Sequence, residues 1–197
     1  MDVNELLDLD VDDQWTFIRG RIAESAVELD AAMRGLHAQL RGLDSTDALL
    51  AAPLSWSALV AQCVTMTACS PVKNRDVHAA IGVAIDSANS AYELRNRYLH
   101  DLLTADVSDE LIPDPSQIRR TGDRYLLRLA VKQRSTDPSI VIVTLDDALL
   151  VVNNLVGASW KIRAARGYLA GRRTWKSALL GDLHGEWDGS ASWVYGG

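Results

Sequence analysis

The sequence predicts a mainly α fold: a helical bundle with a small β-hairpin inserted before the last long helix. Three observations carry that prediction. Apolar residues recur at steps of three, four or seven from Trp15 to Leu43 and fall in one helical stripe between Ile81 and Leu102. Between about 124 and 145 the period drops to two. Hydrophobic residues make up 48% of 197 positions, enough to build the core of one ordinary domain and to exclude general disorder. We therefore expect a single helical domain over residues 1–170, with the hairpin at about 124–145, and an irregular tail over 171–197.

The elements follow in order. Trp15, Ile18, Ile22, Leu29, Met33, Leu36, Leu40 and Leu43 keep one face of a first helix apolar, with Asp12 or Asp13 as cap and Gly42 near its end. A second helix covers Leu54 to Ala68. It lies in a stretch, 48–72, that has no charged residue and is about long enough to span a bilayer. Pro53, Ser55, Ser57, Gln62, Thr65 and Thr67 make it instead a helix buried in a soluble core. Ser70 as N-cap and Pro71 at the first helical position open a third helix that runs to about Leu103. Thr104 to Gln117, with Pro113 and Pro115, reads as an exposed loop. Tyr125 to Val131 and Ile140 to Leu145 form the hairpin, and Thr144, Asp146 and Asp147 offer caps for a last helix to about Leu169.

Composition narrows the function. The acidic start, Met1 to Asp13, lacks the basic and apolar regions of a signal peptide, and the sequence predicts no membrane segment. Cys63 and Cys69, six apart on a helix, point roughly 240° apart and cannot bridge each other there. A reducing, cytoplasmic setting follows as the expectation. The net charge of −6 hides a division: residues 1–116 hold 8 Lys/Arg against 19 Asp/Glu, and residues 117–176 hold 12 against 4. The basic stretch, with Arg119, Arg120, Arg124, Arg128, Arg163 and Arg166, either faces an anionic partner or is solvated and paired with the acidic half. Common nucleotide-loop, hydrolase and zinc-protease patterns are missing, and His37, His78, His100 and His184 have no metal-ligand spacing. Neither a metal nor a cofactor is expected.

The third helix carries the most chemistry. At about 100° per residue, Ile81, Ile85, Ala88, Tyr92, Leu99 and Leu102 fall in one stripe, and Arg95 falls inside it. A guanidinium there must be paired or turned towards an anion. Asn96 and His100, four apart, share one flank, with Asn89 beside them. Read as structure alone, Arg95 snorkels or pairs with an acid and His100 caps the helix end.

The run Glu93, Leu94, Arg95, Asn96, Arg97, Tyr98, Leu99, His100 resembles the signature of the HEPN superfamily of helical ribonucleases and nucleotide-binding domains, an Arg followed by a polar residue, a short spacer and a His. The resemblance covers residues 11–103 and extends to the last helix; the hairpin is an insertion relative to the family core. After His100 stand Asp101 and Leu102, where some toxin members carry a Tyr two positions beyond the His. The resemblance implies metal-independent cleavage of RNA to a 2′,3′-cyclic phosphate by a toxin or antiviral defence protein. His100 would move protons, Arg95 would steady the phosphate and Asn96 would orient either. It also implies a homodimer with two motifs face to face, and an inhibitor protein, or antitoxin, as a possible partner. The other reading is a non-catalytic HEPN-like module that binds nucleotide or RNA or acts as an interaction scaffold.

Overall fold

The computed structural model describes residues 6, 8–43, 51–69, 75–100, 102–104, 125–130 and 139–170, and among them the chain is mainly helical. Helix α1 spans Val11–Leu40. Its cap is Asp10, two or three residues earlier than the expected Asp12 or Asp13: Asp10 Oδ1 accepts the Asp13 N–H at 2.9 Å, and the two expected caps sit in the first turn, where their charge meets the helix dipole. At the other end Gly42 takes φ +69°, and the N–H groups of Gly42 and Leu43 donate to the carbonyls of Gln39 and Ala38. This double closure needs a left-handed residue, which glycine supplies without a Cβ clash. Leu43 is thus outside the helix and exposed, not on its apolar face.

Helix α2, Trp56–Cys69, starts two residues later than the sequence suggests, with Ser55 Oγ accepting the Ala58 N–H at 3.3 Å. Helix α3 spans Arg75–His100; the expected cap at Ser70 and Pro71 lies outside the described residues. The helix stops at His100 and not at Leu103, because Leu102–Thr104 forms strand β1. Strands β2, Tyr125–Ala130, and β3, Ser139–Thr144, are the expected hairpin, but β1 joins them in a three-stranded antiparallel sheet of order β1-β2-β3. Leu102 pairs with Leu129 and Thr104 with Leu127, while Tyr125 pairs with Thr144. Helix α4, Leu145–Leu169, follows β3 without a loop. Thr144 Oγ1 accepts the Asp147 N–H and the Asp147 carboxylate accepts from the Thr144 N–H, a reciprocal cap that turns strand into helix in one residue.

The described residues fall into two compact units, one drawn from Met1–Ala23 and Glu93–Val152, the other from Glu24–Tyr92 and Asn153–Asp188. In the first, Trp15, Ile18, Ile22, Tyr98, Val143 and Val151 are buried, and Gln14 donates to the Leu9 carbonyl at 2.8 Å. In the second, Leu29, Met33, Leu36, Leu59, Ile81, Ile85, Leu155 and Ile162 form the core. Polar contacts fix α2 there: His37 Nε2 meets Gln62 Oε1 at 2.8 Å, Arg34 donates to the Pro53 carbonyl at 3.0 Å, and Trp56 Nε1 donates to Asn89 Oδ1 at 3.0 Å. The Trp56 ring also stacks on Tyr92, with centroids 4.0 Å apart. Among the described residues no helix is long and apolar enough to cross a membrane.

Candidate functional site

The last three turns of α3 set out the candidate site. The buried line of this helix runs Ile81, Ile85, Ala88, Ala91 and Tyr98. It is rotated by one position from the stripe read in the sequence, since Tyr92 and Leu99 are only half-buried. Arg95, four beyond Ala91 and three before Tyr98, stands on this line even more squarely than on the expected one.

Arg95 is half-buried with its Nε enclosed, and its Nη1 donates to Asn96 Oδ1 at 2.7 Å. A charge-assisted bond of that length holds the guanidinium plane in one orientation. It also assigns the Asn96 amide: its oxygen faces Arg95, so its NH₂ group points elsewhere and keeps two donors for another acceptor. Asn96 shares a flank of the helix with His100 at the (i, i+4) spacing. His100 is exposed, the final residue of α3. With Arg97 it occupies the negative end of the helix dipole. A side chain there is anchored at its backbone by the helix and free at its ring to meet a ligand.

A residue that the sequence did not point to joins this end. The exposed Arg19 of α1 reaches the Leu99 carbonyl with its Nη2 at 3.4 Å. That carbonyl is one of the four that a helix leaves open at its C-terminus. The contact is long, as suits a side chain partly in water, and it holds a second guanidinium at the residue preceding His100. No local pattern links positions 80 residues apart; the only trace in the sequence is an arginine on the polar face of α1.

The remaining predicted RNA contacts are placed as follows. Arg119, Arg120 and Arg124 lie outside the described residues. Arg128 occupies the middle strand, opposite Leu103 in β1 and Val141 in β3. Arg163 and Arg166 are exposed on α4, where Arg163 meets Glu28 at 3.5 Å and Arg166 lies across Gly35 of α1. Asn89, read in the sequence beside Asn96 and His100 on the same flank, accepts a bond from Trp56. His37 is fully buried in a core contact and offers nothing to a ligand at the surface.

Among the described residues no group of three or more His, Cys, Asp or Glu side chains could hold a metal ion. Compared with protein-family models, curated proteins and solved structures, the chain matches none.

Proposed function

We propose that the chain is a metal-independent endoribonuclease of HEPN type, acting in the cytoplasm as a toxin or antiviral defence protein, with RNA as substrate. The observation that carries the proposal is the end of α3: a guanidinium on the buried line, aligned by Asn96, with an exposed imidazole one turn further on. Arg95 and Arg19 supply permanent charge and forked donors for phosphate oxygens, and His100 supplies an imidazole that can take a proton and give it back.

In the reaction, the imidazole of His100 takes the proton of the substrate's 2′-hydroxyl. O2′ then attacks the adjacent phosphorus, the bond from phosphorus to the 5′-oxygen breaks, and the leaving oxygen takes a proton. The products are a 2′,3′-cyclic phosphate and a free 5′-hydroxyl. Negative charge builds on the non-bridging oxygens in the transition state, where the Arg95 fork would act; electrostatic aid of this kind is worth about 10²–10³ in rate per donor. A homodimer brings a second copy of the motif, so that one His100 accepts the proton and the other donates it. An inhibitor protein covering the motif would keep such an activity silent.

One observation favours a second reading, a HEPN-like module that binds nucleotide or RNA without cutting it: Arg95 already has an acceptor in Asn96 and is half-buried, as a purely structural arginine would be. Incubating the purified protein with mixed RNA, with and without a chelator, separates the two. The ribonuclease reading expects chelator-resistant fragments ending in cyclic phosphate; RNA retained intact but bound favours the module.

A further inference from the structure

The exposed face of α4 carries a feature the motif does not use. Trp160 is 49% exposed, a high value for the largest apolar side chain, and it is followed on α4 by the exposed cations Lys161, Arg163 and Arg166. Arg163 holds its guanidinium carbon 5.9 Å from the centre of the indole, within cation–π range, and is steadied from α1 by Glu28 at 3.5 Å. Arg166 is braced as well. Its Nη1 lies 2.8 Å from where a Cβ on Gly35 would stand, so the guanidinium rests on bare backbone of α1. One turn before Trp160, Gly157 has open space where a side chain would be, and helical side chains lean in that direction.

A half-open indole, room beside it and two pre-positioned guanidinium groups are what a nucleic-acid strand requires: a face for a base and cations for its phosphates. We propose that Trp160, Arg163 and Arg166 form a stacking platform for an unpaired base of single-stranded RNA, Trp160 taking the base and the two arginines the flanking phosphates. A duplex does not satisfy it, because paired bases are already stacked within the helix. The exposed cations Lys161, Arg163 and Arg166 favour RNA over an apolar protein partner. The platform rests on the proposed function only in requiring that the chain handle RNA, not that it cut it.

The test is the anisotropy of a fluorescein-labelled 12-nucleotide single-stranded RNA titrated with the His100→Ala protein, which leaves the RNA uncut, alone and with Trp160→Ala or Trp160→Phe added. Trp160→Ala should weaken binding about tenfold, within the range of one base stacked on an aromatic ring. Its salt slope should stay unchanged, Trp160→Phe should bind within threefold of its parent, and the same RNA annealed to its complement should not feel Trp160. Arg163→Ala with Arg166→Ala should lower the slope by about 1.4, two phosphates at roughly 0.7 each. Binding indifferent to Trp160→Ala, or equal loss on duplex and single strand, overturns the platform. So does polyglutamate binding that depends on Trp160 when RNA does not bind. Trp160-dependent binding by a wild-type protein that cuts no RNA keeps the platform and sinks the nuclease; cutting with Trp160-independent binding does the reverse.

Discussion

A guanidinium on the buried line of a helix is tolerable only when its donors are met, and Asn96 meets one of those of Arg95 at 2.7 Å. Replacing Asn96 by Ala should therefore cost stability, by about 1 kcal/mol in urea denaturation, because a part-buried charged donor loses its acceptor. Asn96→Asp should recover most of that loss, since a carboxylate accepts the same bond. Were Asn96→Ala as stable as the parent, the bond would have no structural part, and its short length would point to function alone. Counting at 100° per residue was enough to put Arg95 on the apolar line. The bond to Asn96 was not legible, because it depends on a side-chain rotamer, nor was Arg19, whose partner lies 80 residues away. Arg19→Ala should leave stability nearly unchanged and weaken RNA binding with a salt slope lower by about 0.7, one phosphate contact.

At the scale of elements, periodicity located the four helices and the hairpin, while their ends were decided by contacts that periodicity does not see. Asp10, not Asp12 or Asp13, caps α1 because the helix begins before its first apolar residue on the buried line. Strand β1 was missed because three residues, Leu102–Thr104, are too few to show alternation and continue the apolar run of α3. Their strand state is set by pairing with β2, a partner more than twenty positions on. The junction of β3 with α4 rests on Thr144, so Thr144→Ala should cost about 1 kcal/mol in thermal or urea unfolding. Helix α2 supplies a chemical check on its own burial pattern. Cys63 is fully enclosed and burial pushes its thiol up to about 12, whereas Cys69 is exposed. Alkylation at pH 8 should modify one thiol in the native protein and two in denaturant; rapid reaction of both in the native state would contradict the placement of α2.

Across the whole molecule the sequence and the structure carry different parts of the account. The split of charge is a property of the sequence, and only Arg163 and Arg166 of its proposed RNA contacts have described side chains, both exposed on α4. The expectation of self-association rests on the apolar stripe of α3, which continues in the sequence through Arg95 to Leu102. We expect a two-fold dimer with both motifs near the axis, and a monomer at micromolar concentration in light scattering would remove the composite site. The central claim, that His100 is the proton-transfer group of an RNA-cleaving site, is tested most directly by comparing wild-type and His100→Ala protein on one RNA and on the same strand with a single 2′-deoxy nucleotide at the cut. The account predicts cleavage by the wild type in chelator, a loss of about 10²–10⁴ in rate for His100→Ala with its fold intact, and no cutting at the deoxy position. Cleavage by His100→Ala at the parent rate, or equal cutting of the deoxy strand, would contradict it.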